Sequence, residues 1–212
     1  MGSTHQVRND GNMPQRKIAV MGYPCVGKSS LTLRYVEGSF PDAYDTTIED
    51  YHQKCMKFLN RTYMLKITDS AGQQEYSLFP RSCSVDIDGY ILVYAIDDKR
   101  SFDMLQVIHD KIIESVGDIN VPLVVVGNKQ DLHLNSRVVS TQEASKLAKE
   151  WNAVFMEASA KENMVRILIS LFLSDSYALF QDVEKIFEKL LYEIERSKNN
   201  LPEKKTANCT IS

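Results

Sequence analysis

The chain has 212 residues, 43% of them apolar and 25% charged, enough to bury the core of one ordinary domain and unlike a disordered or collagen-like polymer. Its 25 Lys and Arg against 28 Asp and Glu leave a net charge of −3, which argues against nucleic-acid binding driven by bulk electrostatics. Cys25, Cys55, Cys83 and Cys209 form no CxxC pair and no metal-ligand spacing, and no charged-then-apolar leader opens the chain, so a reducing, cytoplasmic setting is expected.

Residues 1–15 are polar, carry Gly2, Gly11 and Pro14, and read as a flexible arm that cannot offset the entropy of ordering. From Lys17 onward, short β-branched runs (18–21, 63–68, 89–95, 123–126) alternate with longer stretches of helical spacing. That alternation predicts an α/β fold, a mostly parallel sheet covered by helices. The runs 88–95 and 121–126 are almost wholly apolar, as central strands buried on both faces require. Ligands in such sheets sit beyond the carboxyl ends of the strands.

The first run ends in Gly22, and Gly22, Gly27, Lys28 and Ser29 complete GxxxxGKS before the apolar-periodic Leu31, Leu33 and Val36. A glycine-rich turn between strand and helix aims backbone N–H groups at an anion; Lys28 adds a point charge and Ser29 a hydroxyl for magnesium. Asp69, Ser70, Ala71, Gly72 and Gln73 form DxxGQ after the run 63–68. There Asp69 would hold the metal through water, Gly72 would donate its N–H to a γ-phosphate, and Gln73 would orient an attacking water. Thr47 offers a second hydroxyl to the metal, although a threonine before an isoleucine is ordinarily a strand residue. Asn128, Lys129 and Asp131 form NKxD, and Ser159, Ala160 and Lys161 follow the short run 154–156. The Asp131 carboxylate can accept from both N1–H and the N2 amino group of guanine, a donor pair adenine lacks, while the Ala160 N–H favours a carbonyl at position 6. Taken alone, Asn128 and Asp131 could equally cap a loop before a helix.

With these four ordered motifs on the page, the sequence resembles the Ras family of small GTPases over residues 16–163 and again over 182–196, a P-loop NTPase fold. Within that family it is most similar to the Rheb branch, through Gly22-Tyr23, residues 75–80, 86–94, 131–133 and 160–163. The resemblance implies that GTP or GDP is held with magnesium by Gly22, Cys25, Val26, Gly27, Lys28, Ser29 and Ser30, by Phe40 as an aromatic wall against the base, and by Asn128, Lys129, Asp131, Ser159, Ala160 and Lys161. It makes Tyr44, Asp45, Thr47 and Gly72 the switch residues near the phosphates, and Lys28, Gly72 and Gln73 the catalytic set. It further implies an effector kinase of the TOR type, a GTPase-activating protein, an exchange factor, and a monomeric chain. Three positions depart from most of the family: Pro24 replaces glycine, Thr46 proline and Ser70 threonine. Pro24 brings a ring toward the γ-phosphate, which speaks against an arginine finger, and the Rheb branch points to an activator that supplies an asparagine. A rival reading is a nucleotide-binding interaction module in which Pro24 and an inserted segment have disabled turnover.

His5, His52, His109 and His133 lack ligand-pair spacing, and no zinc is expected. Cys25 is read as a small side chain that fits its loop, and Trp151 as core. The polar stretch 197–208 reads as a tail carrying Arg196, Lys198, Lys204 and Lys205 near it against Glu203, and the chain ends Cys209-Thr210-Ile211-Ser212. That ending is a CaaX box whose final serine points to farnesyl on Cys209, hence reversible peripheral attachment to endomembranes. Gln6 stands where myristoylation of Gly2 needs Ser or Thr. Residues 166–180 intervene between the Asn163 loop and a last helix whose Val183, Ile186, Phe187, Leu190, Leu191 and Ile194 share one face. Without them Val165 would join Gln181. Their apolar residues are nearly consecutive, so no helix rotation buries them all. Three readings compete: an added helical turn, an adhesive patch for a partner or membrane, and a splice or gene-model extension, the one favoured.

Overall fold

The computed structural model describes residues 13–40, 47–132, 136–168, 178–181 and 183–201. Eight strands, β1 (Gln15–Gly22), β2 (Glu49–Phe58), β3 (Arg61–Ser70), β4 (Gly89–Ala95), β5 (Leu123–Asn128), β6 (Val154–Ser159), β7 (Met164–Leu168) and β8 (Ala178–Gln181), form one sheet in the order β2-β3-β1-β4-β5-β6-β7-β8. The pairs β3-β1, β1-β4, β4-β5 and β5-β6 are parallel, whereas β2, β7 and β8 run antiparallel to their neighbours. The expected α/β architecture, a mostly parallel central sheet with helices, is the one observed.

Four helices, α1 (Lys28–Glu37), α2 (Lys99–Val116), α3 (Thr141–Glu150) and α4 (Glu184–Ser197), cover the two faces. Every residue of β4 and β5 is buried, as their unbroken apolar runs demand. On one face Ile18, Val20, Ile91 and Val93 pack with Leu31 and Tyr35 of α1 and with the buried stripe Ile186, Phe187, Leu190, Leu191 and Ile194 of α4. On the other, Ala19, Met21, Leu92 and Tyr94 meet Phe102, Leu105, Ile108 and Ile112 of α2 and Ala144 and Ala148 of α3. Alternation along β1, β4, β5 and β6 thus feeds two cores. Trp151 is only partly buried at the end of α3 and stacks on His109, centroids 4.1 Å apart.

Several boundaries move. β1 starts at Gln15, inside the expected arm, and α4 runs through Ser197 into the expected tail. β2 lies where no strand was read; its sequence EDYHQKCMKF is polar and only Met56 and Phe58 are buried, because it is the sheet's edge, packed on one side. Within 166–180 the described ends, 166–168 and 178–180, are strand where a helical turn was one expectation: Val165 of β7 registers with Gln181 of β8, and β7 pairs with β6. A strand accommodates consecutive apolar residues that a one-faced helix cannot. Tyr44, Asp45, Thr46, His133 and Cys209 lie outside the described residues.

Candidate nucleotide site

The carboxyl ends of β1, β3, β5 and β6 open into a cavity of about 820 Å³, lined at one end by Pro24, Cys25, Gly27, Lys28, Ser29 and Ser30 and at the other by Asn128, Lys129, Asp131, Ala160 and Lys161. The loop after β1 is shaped by steric necessity. A Cβ at Gly22 would lie 2.1 Å from the Val93 carbonyl oxygen, and one at Gly27, where φ is +90°, would lie 2.3 Å from Nδ2 of Asn128. Cys25 takes a left-handed conformation with φ 62°, uncommon for a residue with a side chain. Gly27 caps α1 without a side-chain bond, so the first-turn N–H groups face the cavity without a side-chain cap, the arrangement that suits an anion.

Lys28 is buried and curls back to donate to the carbonyl oxygens of Gly22 (3.3 Å) and Tyr23 (3.0 Å). Burial pushes its ammonium down to about 8, against the pull of the Asp69 carboxylate. An anionic ligand would relieve that desolvation. Beside it the hydroxyls of Ser29 and Thr47 stand 2.7 Å apart. Asp69 is 1% exposed, and neither carboxylate oxygen has a hydrogen-bond partner. Burial raises its pKa, while the Ser29 hydroxyl, Lys28 and His52 oppose the rise. Two close hydroxyls and an orphaned buried carboxylate are the hard oxygen donors that magnesium takes directly or through water. Asp50 and His52 on β2 bring ligand atoms within 4.8 Å of those of Asp69, a grouping made by the β2-β3 register and invisible in linear spacing.

The base end is tied together by Asn128. Its Nδ2 donates to the Val26 carbonyl at 2.8 Å, and its Oδ1 accepts from the Ala160 N–H at 3.3 Å. The Ser159 hydroxyl donates to Asp131 Oδ1 at 2.7 Å and accepts from the Glu162 N–H, so Ser159 and Val26 act from behind the cavity wall. Lys129 reaches Asp97 at 3.4 Å. Arg34 of α1, which sequence reading passed over, donates to the carbonyls of Ala160 (2.9 Å) and Lys161 (3.0 Å) and lies over the Phe40 ring. A cation on the last turn of α1 was the only available sign.

Gly72 lines the cavity, where a Cβ would stand 2.5 Å from N, Cα and Cγ of Pro24. The Pro24 ring therefore packs on the glycine that would meet a γ-phosphate. Gln73 is brought elsewhere: it is 4% exposed, donates to the Ala71 carbonyl at 3.2 Å, and does not line the cavity. Its backbone N–H donates to the Gly22 carbonyl, which pins the segment to β1. Farther on, the Lys111 ammonium of α2 reaches the backbone carbonyls of Gln74 (3.5 Å), Glu75 (2.8 Å) and Ser77 (2.9 Å).

This geometry, phosphate loop, acid-hydroxyl cluster and guanine-type pocket in one cleft, defines a nucleotide-binding P-loop protein, and the Ras family profile matches residues 17–174. The chain belongs to the Ras family of small GTPases, which are GTP-binding GTP hydrolases, and within that family it is Rheb-like. It is 49% identical over 186 residues to GTP-binding protein Rheb homolog 1 of Caenorhabditis elegans, covering 88% of this chain and 81% of the relative. It is 50% identical over 158 residues to GTP-binding protein Rheb of Homo sapiens (73% and 85%) and 43% identical over 198 residues to the Rheb homolog of Drosophila melanogaster (93% and 98%). No helix among the described residues is long and apolar enough to cross a membrane.

Proposed function

We propose that this chain is a magnesium-dependent guanine-nucleotide switch that hydrolyses GTP slowly unaided and acts on an effector kinase of the TOR type. The reading is carried by one observation: the cavity has phosphate chemistry at one end and a carboxylate, Asp131, held by Ser159 at the other. Ser29 and Thr47 would ligate magnesium, with Asp69 engaging it through water; the ion would neutralise phosphate charge. Lys28 and the N–H groups of 27–30 would hold the phosphates, Gly72 would sense the γ-phosphate through its N–H, and Asn128 and Ala160 would fix the base. Tyr44 and Asp45 complete the first switch, and an activator and exchange factor set the occupancy. Farnesyl on Cys209 would give reversible endomembrane attachment, so Cys209→Ser should lose membrane fractionation.

The base assignment is tested by competition titration with GTP, ATP and XTP. Wild type should prefer GTP, and Asp131→Asn should shift preference toward XTP, whose carbonyl at position 2 needs a donor. Equal affinity for ATP and GTP would sink it. The buried position of Gln73 favours a second reading, an interaction module with negligible turnover. Single-turnover hydrolysis separates the two: a rate that Gln73→Leu leaves unchanged and near zero supports the module.

A further inference from the structure

Both ends of the nucleotide cavity hang on one helix. α1 opens with Lys28, Ser29 and Ser30 at the phosphate end, and about 9 Å farther along its axis Arg34 lies at the base end. The parallel pair of its guanidinium fork, Nε and Nη2, donates to the successive carbonyl oxygens of Ala160 (2.9 Å) and Lys161 (3.0 Å), and Nη1 donates to the Gly38 carbonyl at 2.9 Å. Its Cζ stands 5.9 Å from the centre of the Phe40 ring, within cation–π reach. Among the described residues Arg34 forms no ion pair, so its charge is directed at carbonyls and an aromatic face. Gly38 is held twice: at a φ of +74° its N–H donates to the Arg34 carbonyl at 3.1 Å, while its own carbonyl accepts from the guanidinium. Ala160 is likewise gripped at both backbone groups, its N–H by Asn128 Oδ1 and its carbonyl by Arg34.

We propose that Arg34 is a positioning residue that clamps the two walls of the base pocket, residues 160–161 on one side and Phe40 on the other, and so sets how long a guanine nucleotide stays bound. The inference rests on the guanine-nucleotide reading above and deepens it. Hydrogen bonds from a charged donor are about twice as strong as neutral ones, and the planar fork meets two successive carbonyls in a geometry that a lysine ammonium cannot reproduce. Three carbonyls and a ring converge on this one side chain, so neither wall can swing away without parting from it. The clamp therefore acts on release of the nucleotide more than on its capture. Since the same helix carries the phosphate-binding residues on its first turn, α1 also fixes the distance between the two ends of the ligand.

The test compares release of a fluorescent GDP analogue from the full chain, loaded with magnesium, in wild type, Arg34→Met and Arg34→Lys. Methionine keeps the length and the helix propensity but has no donor. It should speed release about thirtyfold or more through loss of the charge-assisted bonds, with an association rate within about threefold of wild type. Arg34→Lys should fall between, and it carries the same comparison where methionine unfolds the chain. A role confined to supporting the fold would not depend on Phe40. Phe40→Leu alone should also speed release, and the double variant Arg34→Met with Phe40→Leu should release more slowly than the product of the two single effects. Wild-type release from either Arg34 variant, or strictly multiplicative effects in the double variant, would overturn the clamp. Such a failure would leave the preference for GTP over ATP and the XTP shift of Asp131→Asn untouched, and those fail only if the base reading itself is wrong.

Discussion

Asn128 is expected to matter less as a base contact than as the joint between two loops. Replacing it with alanine removes the 2.8 Å bond to the Val26 carbonyl and the 3.3 Å bond from the Ala160 N–H, in a position only 2% exposed. Each neutral hydrogen bond is worth roughly 1 kcal/mol net, and a buried group left unpaired costs about 1–3 kcal/mol. The second bond is long and contributes at the low end. The sum, about 2–3 kcal/mol, falls on the loops proposed to hold the phosphates and the base, so most of it should appear in the release rate of bound nucleotide. Two kilocalories correspond to about thirtyfold faster GDP release. Stopped-flow release of a fluorescent GDP analogue measures this, with urea unfolding alongside. Asn128→Asp refines the test: it keeps the acceptor for the Ala160 N–H but sets an oxygen against the Val26 carbonyl, so it should release GDP at least as fast as the alanine variant. Release from Asn128→Asp at the wild-type rate would refute the joint.

Gly72→Ala should cost about 1–3 kcal/mol of stability through overpacking, because its Cβ would stand 2.5 Å from three Pro24 atoms; Pro24→Gly in the same background removes only the Cγ clash and should recover part of the melting temperature. Glu195 is desolvated by burial, yet hydrogen bonds from Arg16, Asn200 and Tyr63 hold its pKa below the usual 4.5. Its contribution is therefore present above pH 4.5 and is lost as pH falls below it, so Glu195→Gln should flatten the acid limb of the stability curve; an unchanged limb would contradict the network. Deleting 166–180 should leave guanine affinity equal or better and raise the melting temperature. Register partners on adjacent antiparallel strands are about 5 Å apart and consecutive Cα atoms about 3.8 Å, so Val165 and Gln181 can be joined with a small shift. A clear drop in either quantity would make the segment part of the fold.

The nucleotide cleft was legible because phosphate and guanine chemistry demand particular residue types at fixed spacing, and the parallel core because β4 and β5 have no polar interruptions. β2 escaped notice since an edge strand satisfies one ladder and one face only, leaving Glu49, Asp50, Tyr51 and Gln53 to look like loop. The orientation of Gln73 was not readable: DxxGQ specifies the residue, whereas its burial depends on the Gly22 carbonyl and Ala71, which no local pattern encodes. The β1-β3 pairing was likewise beyond local pattern, since its register sets Lys17 beside Lys66, 49 positions apart in sequence.

The Lys111 ammonium grips the segment after Gly72 solely by main-chain carbonyls, those of Gln74, Glu75 and Ser77. Tether and message are thereby written in different atoms. Tyr76 and Leu78, each 92% exposed, owe nothing of their placement to their own side chains, so this stretch can change what it presents to the outside without slackening the mooring that returns it to α2.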